Sequence, residues 1–117
     1  MGKIIIWHNP NCSKSREAMN IIEDNGCEKE VIKYLDSRPD NNSIKNILNL
    51  LDINPRELMR TKELIYKELN LDTQEDENKL VEAMVNNPIL IERPIIIKGS
   101  KAIIGRPTSK IASFLNS

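Results

Sequence analysis

The period of the apolar positions changes along this chain, and each change marks an element. Residues 3 to 7 read Lys-Ile-Ile-Ile-Trp, a β-branched run that suits a buried strand and halts at His8-Asn9-Pro10. After Cys12 the period lengthens. Ala18, Met19, Ile21 and Ile22 fall on one side of a helix whose first turn Ser13 or a neighbour can cap, and Gly26 supplies its stop. Cys12 is thereby placed at a helix N-terminus. Glu30 to Leu35 reads as a second strand, and strand, helix, strand make a βαβ unit with a parallel pair.

The middle of the chain is helical in pattern. Ser43 is the expected cap of a segment with Ile44, Ile47, Leu48 and Leu51 at helical spacing, and Asn54-Pro55 offers a cap followed by Pro at the first helical position. Short helices are predicted over Arg56 to Arg60 and Glu63 to Leu69. A longer one runs from about Asp76 to Asn86, with Leu80, Val81, Met84 and Val85 as its apolar stripe and Asn87-Pro88 as its stop. Strands return in Ile95-Ile96-Ile97 and Ala102-Ile103-Ile104 around a Lys98-Gly99-Ser100-Lys101 turn, a hairpin signal, and residues 108 to 116 close with a helix. The order predicts an α/β chain with a small mixed sheet of four strands, the thioredoxin-like plan, carrying a helical insertion at about residues 40–87 of a single domain, 1–117.

Composition narrows what such a fold could do. The length of 117 residues suits one domain with a real core, and 29% charged residues balance to a formal net charge of zero. No overall basic field exists to hold nucleic acid or an anionic membrane surface, so neither is an expected partner. An anion would have to be caught by local geometry. No apolar run approaches the roughly 20 residues that span a bilayer. The start, Met1-Gly2-Lys3-Ile4, lacks a signal-peptide pattern, so a cytoplasmic location is expected. The two cysteines, Cys12 and Cys27, are too few for a secreted disulfide framework.

Cys12 is the sharpest chemical signal. At a helix N-terminus it faces unpaired N–H groups and the positive end of the dipole, which favour thiolate over thiol, and Lys14 and Arg16 are nearby cations. His8, the sole histidine, lies four residues earlier, where it could hydrogen-bond or charge-pair with the thiolate. A phosphatase-like loop would want arginine at position 18, which is Ala, so that route is closed. Ser15 makes the motif C-x-x-S, which forms mixed adducts but closes no internal disulfide. An outside thiol is implied. A helix of about a dozen residues would hold Cys27 roughly 18 to 20 Å from Cys12, beyond the about 7 Å between Cα atoms that a disulfide allows. Arg93 and Arg106 each precede a proline at the start of an element, and guanidinium groups bind tetrahedral oxyanions bidentately. Arg60, in Glu57-Leu58-Met59-Arg60-Thr61-Lys62, is a further candidate; each of the three arginines has solvated surface as its plain alternative. The Arg93-Pro94 bond could be cis.

The run His8-Asn9-Pro10-Asn11-Cys12-Ser13-Lys14-Ser15-Arg16 resembles the opening signature of the glutaredoxin-coupled arsenate reductases, the ArsC-like family. The resemblance continues through Arg56-Glu57-Leu58-Met59-Arg60, Asn87-Pro88-Ile89-Leu90-Ile91-Glu92-Arg93-Pro94-Ile95 and Ile104-Gly105-Arg106-Pro107, in order and over nearly the whole chain. It implies a thioredoxin-like fold with a helical insertion, Cys12 as nucleophile, and His8 as its activating histidine. It also implies an oxyanion held by Arg60, Arg93 and Arg106, a cis proline at Pro94, and Ser15 in a supporting place. The implied reaction reduces arsenate through a Cys12 thiolate–arsenate adduct. Glutathione and glutaredoxin serve as external reductants, with no bound cofactor and no metal. The chain is shorter at its C-terminal end than the best-known members, which leaves the physiological substrate open. Two other roles fit the same scaffold: an Spx-like RNA-polymerase-binding regulator, whose C-x-x-C switch Ser15 would break, and a glutathione-linked oxidoreductase of protein mixed disulfides using Cys12 alone.

Overall fold

The computed structural model describes residues 3–117, and the chain divides into two compact units, Met1–Ser37 with Arg93–Ser117, and Arg38–Glu92. The first unit holds a four-stranded sheet in the order β2-β1-β3-β4. Its strands are β1 (Ile4–Trp7), β2 (Lys29–Ile32), β3 (Ile95–Lys98) and β4 (Lys101–Ile104). β1 runs parallel to β2 and antiparallel to β3, and β3 and β4 form a hairpin, so the sheet is mixed. The interior strands carry the continuous apolar runs: Ile4, Ile6, Ile95 and Ile96 are buried. The edge strands mix in Lys29, Glu30 and Lys101, charges that discourage a further strand from adding there. Helices α1 (Ser13–Asp24) and α7 (Ser109–Leu115) complete a core of Ile4, Ile6, Ala18, Ile22, Ile96, Ile111 and Leu115. This arrangement is the thioredoxin-like fold.

Local chemistry explains most boundaries. Gly26 ends α1 with φ of 69°, and Gly99 turns the hairpin with φ of 60°, both in the left-handed region that glycine enters without steric cost. The expected strand from Glu30 to Leu35 is shorter. β1 stops at Trp7, its partner residue is Ile32, and the ladder's last bond runs from the His8 N–H to the Ile32 carbonyl at 2.8 Å. With no strand left to pair, Lys33 begins a helical turn, α2 (Tyr34–Ser37), its carbonyl accepting from the Asp36 and Ser37 N–H groups at 3.0 Å each. Tyr34 is then buried, stacked on Trp7 with ring centroids 6.2 Å apart.

The second unit is helical: α3 (Asn41–Leu51), α4 (Pro55–Leu58), α5 (Leu64–Glu68) and α6 (Glu77–Asn86), with short 3-10 turns at Leu71–Thr73 and Pro88–Leu90. Ser43 is not the cap of α3. The Asp40 carboxylate, one turn earlier, accepts the Ser43 N–H at 2.8 Å, which puts Ser43 inside the first turn. α4 opens with a reciprocal capping box between Asn54 and Glu57 and ends before the expected Arg60. Met59 turns extended there and bridges to Ile91, while the Arg60 N–H donates to the Leu90 carbonyl at 2.7 Å. In α6, Leu80, Val81 and Met84 are buried as a stripe, but Ala83 joins them and Val85 is only half-buried. Arg56 spends its guanidinium inside the unit, donating to the Leu71 and Gln74 carbonyls and the Tyr66 hydroxyl.

Candidate functional site

Cys12 is the N-cap residue of α1, in extended conformation, and is 7% exposed. The loop ahead of it is held by Asn9: its carbonyl accepts the Cys12 N–H at 3.0 Å and its side-chain oxygen the Asn11 N–H at 2.9 Å. Asn9 is itself buried. Its role went unread in the sequence, although an Asn followed by Pro is a turn signal that could have marked it.

The pairing of β3 with β1 brings a distant part of the chain to this thiol. Arg93 and Pro94 lead into β3, and Gly105 and Arg106 leave β4, its hairpin partner. The Gly105 N–H donates to the Pro94 carbonyl and the Arg106 Nε to the Arg93 carbonyl, each at 2.8 Å, so the two Arg-Pro segments are tied together. Both peptide bonds, Arg93–Pro94 and Arg106–Pro107, are cis; only the first was anticipated. Arg106 Nη2 donates to Cys12 Sγ at 3.3 Å. Arg93 keeps Nε and Nη1 buried with no protein partner, donors available to an oxyanion.

Burial pushes the Cys12 thiol up, but the Arg93 guanidinium, the Ser15 and Lys14 backbone N–H groups and the Arg93 charge outweigh it, lowering the pKa from 9.0 to about 7. The contact of best geometry comes from Arg106, whereas Arg93 has the larger electrostatic effect. The two act as one cationic wall behind a soft acceptor. Lys14 and Arg16, the cations expected from sequence, are occupied elsewhere: Lys14 pairs with Glu17 at 3.5 Å on the surface, and Arg16 donates to the Pro10 carbonyl at 2.9 Å. Neither of their charges is among the causes that lower the Cys12 pKa.

His8 and Ser15 are both buried, and the histidine Nδ1 lies 2.6 Å from the Ser15 Oγ. Burial, then the charges of Lys33 and Arg16, hold the His8 pKa below its ordinary value. Cys27 lies beyond the end of α1, a free half-buried thiol packed against the core. Arg60 belongs to the second unit, where Glu63 stands 3.5 Å and Glu92 3.4 Å from its guanidinium. Among the described residues no cluster of three or more metal-binding side chains occurs, and no helix is long and apolar enough to cross a membrane.

Gly105 sits where the two Arg-Pro segments meet. A Cβ there would fall 3.0 Å from Pro94 Cγ and 3.1 Å from Ile111 Cδ1. The isoleucine tip can rotate, whereas the proline ring can give only slightly, so Gly105→Ala should push on the Pro94 segment that carries Arg93. The expected result is a loss of about 1–3 kcal/mol in urea unfolding, together with a higher pH midpoint for alkylation of Cys12.

A sequence model of the ArsC family matches residues 7–114. The Escherichia coli K12 protein YfgD is 49% identical over 93% of this chain and 93% of its own. An arsenate reductase of Neisseria meningitidis serogroup B is 44% identical over 98% of this chain and 100% of its own. The solved structure of an arsenate reductase from Vibrio cholerae matches with a TM-score of 0.92 and 41% identity, covering 96% of this chain and 97% of that one.

Proposed function

The chain belongs to the ArsC family, and from that premise we propose that it reduces arsenate to arsenite at Cys12. One observation carries the reading: a thiol at the N-cap position of α1, with a pKa of about 7, lies in contact with Arg106 and beside Arg93, whose unused N–H donors suit a tetrahedral oxyanion. About half of such a thiol is thiolate at neutral pH.

In the proposed sequence the Cys12 thiolate attacks arsenic, and an arsenate oxygen leaves as water or hydroxide, giving an S–As(V) adduct. Arg93 and Arg106 bind the remaining oxygens and stabilise the charge that builds on them. Arg60 is carried over from the family as a third donor, its charge shared with Glu63 and Glu92. The glutathione thiol then replaces a second arsenate oxygen, which leaves as water, so that arsenic(V) is bonded to both sulfurs. A glutaredoxin thiolate then takes the glutathione sulfur as a mixed disulfide, and the electron pair of the broken S–As bond stays on arsenic. Hydrolysis releases arsenite and restores the Cys12 thiolate. Ser15, where a resolving thiol would otherwise stand, supports the use of an outside thiol.

The test is arsenate-dependent NADPH oxidation with glutathione, glutaredoxin and glutathione reductase, each omitted in turn. Turnover that needs every component is expected. A folded protein that alkylates readily at Cys12 yet shows no arsenate-dependent oxidation would rule arsenate out. Turnover of a glutathionylated protein instead would favour mixed-disulfide reduction.

A further inference from the structure

Ser15 has a second property that its place in C-x-x-S does not explain. It is 0% exposed, and its hydroxyl oxygen accepts the Asn9 N–H at 3.0 Å while lying 2.6 Å from His8 Nδ1. A serine hydroxyl has one hydrogen, and in a site sealed from water that hydrogen needs an acceptor. The backbone N–H of Asn9 is a donor and can take none. Among the described contacts of Ser15, only the histidine ring nitrogen is left to receive it. Were His8 to carry its proton on Nδ1 and donate to Ser15, the serine oxygen would accept twice and its own hydrogen would be stranded in the interior.

We propose that Ser15 is a positioning residue: its hydroxyl donates to His8 Nδ1 and thereby fixes the ring as the neutral tautomer protonated at Nε2. His8 then acts at the thiol site as an oriented, uncharged N–H donor, and the positive charge opposite the thiolate comes from Arg93 and Arg106. An imidazolium–thiolate pair is excluded by this arrangement, because a protonated Nδ1 would turn the serine contact into the stranded one. The charges that face the ring agree. Lys33, just past β2, and Arg16, on α1, both disfavour a second proton on it, and no carboxylate is among its described neighbours.

The position that a dithiol enzyme would give to a resolving cysteine is thus occupied by a group with a different task. A sulfur there would be a weaker donor to nitrogen and a poorer acceptor for the Asn9 N–H. The role of Ser15 in turnover rests on the reductase reading, but the state of the His8 ring does not.

The experiment is 15N-resolved NMR of the His8 imidazole in the native protein near pH 7, with Cys12 reduced. A bare Nδ1 and a protonated Nε2 are expected. A ring protonated at Nδ1, alone or together with Nε2, would overturn the proposal. Ser15→Ala should release the tautomer preference, raise the titration midpoint of His8 and lower kcat about tenfold with a smaller change in KM. Ser15→Thr, which keeps the hydroxyl, should retain the native tautomer even if its methyl group lowers stability. A Ser15→Ala protein that keeps a single Nε2–H tautomer would equally sink the assignment. Absence of arsenate turnover in the native protein would remove the reductase reading and leave the ring measurement to decide this one.

Discussion

Arg93→Ala is expected to lower arsenate turnover at pH 7 by about 100-fold or more, and to give part of it back as the pH is raised. Two effects combine. The first acts on the nucleophile: Arg93 is the side chain that lowers the thiol most strongly toward its pKa of about 7 from 9.0. If the midpoint returned fully to 9.0, the thiolate fraction at pH 7 would fall from about a half to about one in a hundred. The Ser15 and Lys14 N–H groups remain, so the rise is partial and the loss from this source is on the order of tenfold. The second effect acts on the oxyanion, which loses a donor whose Nε and Nη1 have no protein partner. Removing one such preorganised donor costs about tenfold to a hundredfold more. Only the first effect depends on pH, so pH profiles of Cys12 alkylation and of kcat/KM separate them. Alkylation should shift to higher pH, and kcat/KM should remain below native even where the thiol is fully ionised. Arg93→Lys keeps the charge and loses the fork, so it should repair the alkylation profile more than the turnover. An alkylation midpoint unmoved in Arg93→Ala would transfer the role to Arg106 and the helix amides.

How much of this was legible in the sequence depends on the range of the interaction that decides each feature. Where neighbours in the chain decide, the pattern sufficed: the β-branched run of β1, the Gly26 stop of α1 and the Gly99 hairpin turn are all local in cause. Boundaries failed where a competitor lay one turn away. Ser43 and Asp40 are both good caps, and the carboxylate wins because it stands where it can take the first free N–H groups. Tyr34 and Leu35 extend a strand-like run, but pairing ended at Ile32 because β1 had already ended.

The site shows the same division more sharply. That Cys12 would cap a helix was local. That Arg106 would touch its sulfur was not: the two are 94 residues apart, joined through the β1–β3 pairing and the β3–β4 hairpin. Spacing marked Arg93 and Arg106 only as arginines before prolines; the family resemblance, not periodicity, gave them a shared task. Lys14 and Arg16 are the converse case, since the cations nearest in sequence are engaged by Glu17 and the Pro10 carbonyl while the distant Arg93 lowers the thiol. Ser15 read as a missing cysteine until its contact with His8 gave it a partner.

Cys12→Ser should abolish turnover, because a serine hydroxyl at neutral pH is neither a thiolate nor a competent partner for sulfur exchange with glutathione. The variant also carries a second signature that needs no substrate. The thiol is an acid whose pKa is about 7 in the folded protein against 9.0 for the unperturbed group, so the folded state favours its ionised form. Its contribution to stability is therefore complete above pH 9.0, falls as the pH drops through about 7, and is absent below that. The unfolding free energy of the native protein minus that of Cys12→Ser should rise with pH across this window by on the order of 2 kcal/mol. Cys27 is common to both proteins and cancels. Urea unfolding under reducing conditions at a series of pH values measures the difference directly. A flat difference would mean that the arginine wall does not favour the thiolate over the thiol, and the loss of turnover in Arg93→Ala would then have to come from oxyanion binding alone.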